Sequence, residues 1–194
     1  MSNKKLDLIK YKQAIDLCFT AYKQKHRKGI KIPYFVYLLS VSNLIIENNG
    51  SIEEVIASLF HDIFEIKNNT RHLNQIKRKF GSKVFNIVKQ CSNLKFNDEA
   101  LVENKKKFLE SMSKMSQSSL LVSLCDKLHS TNCMINDYNK IGKKIWTNHS
   151  LTAEETKWYY KNLCKNFKKF LKNNKSLKDK FQRNTNEIEF LINK

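Results

Sequence analysis

The sequence predicts an all-α fold, and three observations lead to it. Only four Gly and one Pro occur in 194 residues, whereas sheets with many tight turns normally need more of these breakers. About 41% of the residues are apolar, which is enough to fold around a core in a chain of this length. Apolar residues also recur at spacings of three and four along most of the sequence, and this is the period of a helix.

The first helices are predicted from apolar stripes and capping residues. One stripe is formed by Ile15, Cys18, Phe19 and Tyr22. After a loop containing Gly29, Pro33 stands where a second helix can begin. Ser51 with Glu54 three residues later is a capping box, which predicts a third helix that continues through Ile63.

The later elements follow from the same signals. A polar loop is expected at 67–71, then a helix to Phe80 and, after Gly81, another helix to Cys91. A helix is expected over 99–115, and the segment 120–128 is apolar nearly all round, which indicates a central helix. Residues 157–183 carry ten Lys or Arg and a single acid. Because an apolar stripe persists there, we expect a basic amphipathic helix or a pair of them.

Charge and targeting signals limit the function classes. The net charge of +18 suits nucleotides, nucleic acid or an anionic surface, but scattered Lys in a Lys- and Asn-rich chain also make an ordinary solvated surface. No apolar stretch is long enough to span a membrane, and no signal peptide is visible. Five cysteines without a CxxC pair indicate reduced thiols. We therefore expect a cytoplasmic protein.

The candidate chemistry lies in two acidic positions among apolar residues. His61 and Asp62 are adjacent within the third predicted helix, and Asp126 lies within the apolar segment 120–128. Burying such groups is costly unless they are paired or bind a metal. An imidazole and two carboxylates could hold a divalent cation. From these residues alone, a metal site and a His–Asp pair satisfied in the core both remain open.

Four stretches, in order along the chain, resemble the HD domain of RelA/SpoT-type (p)ppGpp hydrolases, especially the small single-domain members. They are Arg27–Leu39, similar to RKGT-x-IPYI-x-HLLAV; Ala57–Glu65, similar to AALLHDAVED; Phe80–Val84, similar to FGxxV; and Leu121–His129, the start of LVSxADKLHN. The resemblance covers roughly residues 10 to 170. It implies one compact multi-helix HD-domain bundle over 1–194, with a basic C-terminal helical extension at about 165–194.

The resemblance also implies a Mn²⁺ ion and removal of the 3′-pyrophosphate from a guanosine nucleotide such as ppGpp, as in the stringent response. By position, His61, Asp62 and Asp126 would bind the metal, and Glu65, with Asp62, would be catalytic. Nucleotide contacts would come from Arg27, Lys28, Lys127 and Ser130. For Arg27 and Lys28 an ordinary exposed loop is the alternative.

Several positions depart from the family pattern. Tyr37 stands where the first metal-ligating His is expected, and a phenol of pKa near 10 binds divalent cations less readily than imidazole. Ile66 replaces the second carboxylate of the Glu-Asp pair, and Ser130 replaces an Asn. The HxxQxRK motif reads YKQKHRK at 22–28. His26 could in principle supply the missing imidazole.

Three hypotheses follow from the sequence. The first is a metal-dependent phosphohydrolase that the substitutions impair, and the second is a degenerate, pseudoenzyme-like HD protein that binds a nucleotide or a protein partner without hydrolysis. The third is nucleic-acid binding through the Lys-rich C-terminal helices, for which no recognised module is present. Aromatic residues near the C-terminus would suit a homodimer.

Overall fold

The computed structural model describes residues 6–27, 32–92, 101–148 and 150–194. The chain divides into two compact units, Met1–Ser92 and Asn93–Lys194. Both are helical, and in the described ranges the extended pairing is an isolated bridge between His26 and Pro33. The all-α prediction is confirmed. None of the helices in the described ranges is long and apolar enough to cross a membrane.

The first unit contains α1 (Leu8–Tyr22), α2 (Tyr34–Glu47), α3 (Ile52–Phe60) and α4 (Thr70–Cys91), with a 3-10 turn at Ile63–Glu65. Helix α3 packs against α1, α2 and α4. Its sequence explains this central place, because every residue from Val55 to Phe60 is buried. The predicted capping box of Ser51 and Glu54 is present and sets the start of α3.

Helices α1 and α4 differ in part from the prediction. Phe19 was expected in the buried stripe of α1, but it is 56% exposed. The buried face of α1 is instead made by Ala14, Leu17, Cys18 and Tyr22. In α4, Gly81 has a φ of 87° and breaks the helix, as predicted, because glycine adopts this conformation without steric cost. The preceding loop is shorter than expected, since α4 already begins at Thr70.

The second unit contains α5 (Leu101–Ser111), α6 (Gln117–Ile141), α7 (Ile145–Asn148), α8 (Ala153–Phe170) and α9 (Lys175–Asn193). Short 3-10 turns follow α5 and α6, at Met112–Lys114 and Gly142–Lys144. The predicted central helix is confirmed, because α6 is buried without interruption from residue 119 to 126 and packs against α8 and α9. The helix predicted over 99–115 is shorter, since the backbone tightens at Met112.

The basic C-terminal segment forms two helices, α8 and α9, as one of the two alternatives predicted. The apolar stripe of this segment is part of the hydrophobic core. Phe167 and Phe181 are fully buried, and their rings meet edge to face with centroids 5.6 Å apart. Position 165, where the extension was expected to begin, lies within α8. The assignment of the whole chain to one domain stays a prediction.

Candidate functional site

The His61–Asp62 pair lies in a turn rather than within a helix, which corrects the prediction. Helix α3 ends at Phe60. The Nδ1 atom of His61 is 2.7 Å from the Ser58 carbonyl oxygen, and the Ser92 hydroxyl donates to the His61 carbonyl at 3.0 Å. These side-chain hydrogen bonds satisfy carbonyls that a further helical turn would otherwise use. The backbone can therefore leave the helix and turn into the 3-10 segment.

This turn brings two metal-type donor atoms together. His61 is only 2% exposed, and in its neutral form the hydrogen bond to Ser58 places the ring proton on Nδ1. The lone pair then lies on Nε2, which is 3.1 Å from Oδ2 of Asp62. The Tyr34 hydroxyl donates to the same carboxylate oxygen. An imidazole fixed by a backbone carbonyl, next to an oriented carboxylate, is the arrangement that divalent cations find in proteins.

Three tyrosine rings surround this pair. Tyr37 stacks on Tyr34 with ring centroids 5.4 Å apart, and the centroid of Tyr37 is 6.4 Å from that of His61. The ring centroid of Tyr22 lies 5.7 Å from that of Tyr34. Burial, and then the negative charge of Asp62, raise the pKa of Tyr22 well above 10. A phenol, at Tyr37, thus lies beside His61 where the resemblance leads us to expect a second imidazole.

Two cations lie against these tyrosines. The Lys25 ammonium is 4.2 Å from the ring centroid of Tyr34 and 2.8 Å from Oε2 of Glu65. The Arg27 guanidinium lies 5.9 Å from the centroid of Tyr37. The structure therefore brings predicted site residues Arg27, Glu65 and Tyr37 near the His61–Asp62 turn. The predicted Lys28 falls outside the described residues, and the exposed His26 lies in the bridge to Pro33.

In the second unit, Asp126 forms a buried ion pair. Its Oδ2 atom is 2.6 Å from the Lys127 ammonium, and the two side chains are 9% and 15% exposed. Burial, the largest single influence, would lower the pKa of Lys127, but the charge of Asp126, the phenols of Tyr159 and Tyr160 and the hydrogen bond to Asp126 together hold that pKa well above 10.5. The Phe108 ring lies 5.9 Å from the same ammonium. The structure places the Lys127 ammonium on Asp126, and the contact of Lys127 with a nucleotide stays a prediction.

Ser130, the last of the predicted site residues, is also tied within the second unit. Its hydroxyl is 3.0 Å from the hydroxyl of Tyr160. Burial is the main cause of the raised pKa of Tyr160. The neighbouring Tyr159 is 3% exposed, and its hydroxyl has no hydrogen-bond partner among the described residues. Ser130 thus belongs to a hydroxyl cluster on α6 and α8.

The described residues contain no group of three or more His, Cys, Asp or Glu side chains in metal-holding positions. The fit to a metal therefore rests on the two converging donor atoms of His61 and Asp62. Tyr34 and Lys25 contact Asp62 and Glu65, and neither was predicted from the sequence as a site residue. A signal existed for Lys25, because it stands at the Gln position of HxxQxRK. For Tyr34 no sequence signal indicated the hydrogen bond.

Comparison with known families gives a match to the HD domain model over residues 14–152. Among characterised proteins, the guanosine-3′,5′-bis(diphosphate) 3′-pyrophosphohydrolase of Haemophilus influenzae is 33% identical over 102 residues. The alignment covers 50% of this chain and 15% of that enzyme. The likeness thus concerns a small part of a much longer protein.

Two solved structures share the fold. One is a metazoan ortholog of SpoT, described as hydrolysing ppGpp and taking part in starvation responses, with a TM-score of 0.72 and 19% identity. That superposition covers 92% of this chain and 94% of the other. The second is a Listeria monocytogenes EGD-e protein, with a TM-score of 0.65, 19% identity, and coverage of 81% and 99%.

Proposed function

The chain belongs to the HD domain family, and from this premise we propose that it is a metal-dependent phosphohydrolase of guanosine nucleotides such as ppGpp. The observation that carries the proposal is the convergence of His61 Nε2 and Asp62 Oδ2 at 3.1 Å. The similarity to the guanosine-3′,5′-bis(diphosphate) 3′-pyrophosphohydrolase of Haemophilus influenzae supports the choice of substrate. Free cysteines throughout the described chain agree with a cytoplasmic place of action.

We propose Mn²⁺ as the metal, held in the first unit by His61 and Asp62, and a metal-binding role for Asp126 as the family pattern implies. Such an ion polarises a phosphoryl group and lowers the pKa of bound water. The protein's own residues do the rest: Ser58 fixes the tautomer of His61, and Tyr34 orients Asp62. Glu65 orients the attacking water and accepts its proton.

Nucleotide binding is assigned to the cationic edge of the same site. The Arg27 guanidinium can bind phosphate oxygens in a bidentate manner, and Lys28 follows it in the sequence. Tyr37 and Tyr34 present stacked rings, and the Arg27 guanidinium lies 5.9 Å from the centroid of the Tyr37 ring. We also propose Ser130 as a nucleotide contact, because a hydroxyl has one donor and two acceptor sites and the Tyr160 contact uses one of them.

A second candidate function, nucleotide binding without turnover, is favoured by one specific contact. The Lys25 ammonium pairs with the Glu65 carboxylate at 2.8 Å, so the residue assigned to proton transfer is already engaged by a cation. Ile66 removes the neighbouring carboxylate of the family pattern, and Tyr37 replaces an imidazole. In this case the nucleotide stabilises the folded protein without being cleaved.

The deciding experiment measures pyrophosphate released from ppGpp by the purified chain with Mn²⁺. Wild type is compared with Asp62→Ala and with a control in the same unit, Asp16→Ala. This control removes an exposed carboxylate that pairs with Lys12. We expect release by wild type and the control, and a loss of at least a hundredfold in Asp62→Ala. Equal release by all three proteins would refute the hydrolase proposal.

If no protein releases pyrophosphate, a thermal melt with and without ppGpp tests the second candidate. A rise in Tm of wild type with ppGpp, reduced in Arg27→Ala, would support binding without turnover. The double variant Tyr37→His/Ile66→Asp then restores two family residues. Its gain of hydrolysis would show that these substitutions cause the impairment.

A further inference from the structure

Lys25 is held in place more firmly than an ordinary surface lysine. Its ammonium is 2.8 Å from Glu65 Oε2 and lies over the Tyr34 ring at 4.2 Å, with a second ring, that of Tyr22, at 5.9 Å. A cation over a tyrosine face is attracted by the ring quadrupole. The side chain is nonetheless 31% exposed, so the ammonium also reaches solvent.

The backbone around Lys25 is fixed as well. Its carbonyl accepts from the Tyr34 N–H at 2.8 Å, and its own N–H donates to the Tyr22 carbonyl at 2.9 Å. The Arg27 N–H donates to the Ile32 carbonyl at 2.9 Å. These hydrogen bonds attach the segment after α1 to the start of α2. The position of the Lys25 charge is therefore set by the fold and not by side-chain rotation alone.

The fixed ammonium lies at the edge of the candidate site. One tyrosine ring and one hydrogen bond, from Tyr34 to Asp62, separate it from the carboxylate proposed to hold a metal. A positive charge at this edge disfavours a second cation nearby and favours an anion. Of the three N–H donors of an ammonium, the contact with Glu65 occupies one.

We propose that Lys25 forms an anion subsite that takes a phosphate group of the ligand and at the same time weakens the binding of free metal ion at His61–Asp62. The inference rests on the proposed function and deepens it, because it names a residue that lowers the affinity for free metal ion and raises the affinity for the phosphate group of the ligand. A site of this kind binds free Mn²⁺ weakly and gains affinity when the metal arrives together with a polyphosphate. Lys25 is thus a specificity-determining residue rather than a catalytic one.

The test measures two affinities by calorimetry, of Mn²⁺ alone and of inorganic pyrophosphate without metal. Lys25→Gln removes the charge and Lys25→Arg keeps it. The matched control is Lys12→Gln, because Lys12 also makes a 2.8 Å ion pair with a carboxylate in the same unit, Asp16. We expect Lys25→Gln to bind Mn²⁺ roughly 3- to 30-fold more tightly and pyrophosphate more weakly by a similar factor.

Lys25→Arg and Lys12→Gln should remain within about twofold of wild type for both ligands, since the site's charge is unchanged. Shifts of opposite sign distinguish the proposal from a structural role, because loosening of the site would weaken both ligands together. If Lys25→Gln weakens both or changes neither, the inference is overturned. The inference also falls if wild type binds neither ligand.

The same measurements separate this inference from the proposed function. Wild type that cleaves ppGpp, with unchanged affinities in Lys25→Gln, would overturn the anion subsite and leave the hydrolase standing. Wild type that binds Mn²⁺ and pyrophosphate but does not cleave ppGpp would overturn the hydrolase. Opposite shifts in Lys25→Gln would then still support the subsite.

Discussion

The two carboxylates assigned to one metal by the family pattern are held in contrasting ways. In the first unit, Asp62 accepts from the Tyr34 hydroxyl and faces the imidazole of His61. In the second unit, Asp126 is in contact with the buried ammonium of Lys127 at 2.6 Å. An ammonium lies against Asp126, whereas a phenol hydroxyl and an imidazole contact Asp62. We therefore expect the Asp126–Lys127 pair to contribute to stability, in addition to the metal-binding role proposed for Asp126.

The largest expected effect comes from breaking the buried pair in the second unit. Asp126→Leu leaves the Lys127 charge buried without its carboxylate, and this should cost about 3–5 kcal/mol of unfolding free energy. The double variant Asp126→Leu/Lys127→Met should recover most of the loss, because an apolar pair of similar size can replace a buried ion pair. Chemical denaturation with a chelator present measures both.

The control for that prediction is Glu189→Gln. It breaks the ion pair between Lys161 and Glu189, which lies in the same unit but is 45% and 30% exposed. Exposed pairs contribute about 0–1 kcal/mol. If Asp126→Leu lowers the unfolding free energy no more than Glu189→Gln does, the Asp126–Lys127 pair does not stabilise the second unit.

A smaller effect is expected from Tyr34→Phe in the first unit. This change removes the hydroxyl that orients Asp62, and loss of such a supporting hydrogen bond typically weakens metal binding by about tenfold. Tyr11→Phe is the matched control, because the hydroxyl of Tyr11 is 2.8 Å from Ser42 Oγ in the same unit. Mn²⁺ affinity should fall only in Tyr34→Phe. A similar fall in both variants would indicate general loosening.

Still smaller effects on stability, of opposite sign, are expected from Tyr→Phe changes at Tyr22 and Tyr160. The buried Tyr22 hydroxyl has no hydrogen-bond partner among the described residues, so Tyr22→Phe should raise stability by about 1 kcal/mol. The Tyr160 hydroxyl contacts Ser130 at 3.0 Å, so Tyr160→Phe should lower stability by a similar amount. Thermal and denaturant unfolding at neutral pH test the signs, and the same sign for both would contradict the comparison.

The smallest effect concerns alkaline pH. Burial raises the pKa of Tyr22 and of Tyr160 above 10 in the folded protein. In the unfolded chain these phenols ionise near pH 10, so unfolding releases protons above that pH. The part of the unfolding free energy that depends on their neutral forms is complete below pH 10 and is lost as pH rises towards the folded pKa values. Tyr22→Phe should therefore make the decline in unfolding free energy between pH 10 and 11 less steep.

Much of the fold could be predicted because its signals are local. The capping box at Ser51, the break at Gly81 and the apolar segment of α6 depend on neighbours within a few residues. The predictions were wrong where contacts between residues far apart in the sequence decide which side chains are buried. The exposed Phe19 gave way to Ala14 and Leu17 in the buried face of α1, and spacing alone does not distinguish these faces.

In the candidate site, too, the sequence predicted the local features and the tertiary structure decided the contacts between distant residues. The order of motifs along the sequence determined that this is an all-α HD domain. It also predicts that His61, Asp62 and Asp126 are site residues. Only the tertiary structure decided that His61 and Asp62 lie in a turn, that Tyr34 donates to Asp62, and that the ammonium groups of Lys25 and Lys127 face Glu65 and Asp126. The physical reason is that hydrogen bonds and ion pairs are fixed by distances between residues far apart in the chain, which local periodicity does not encode.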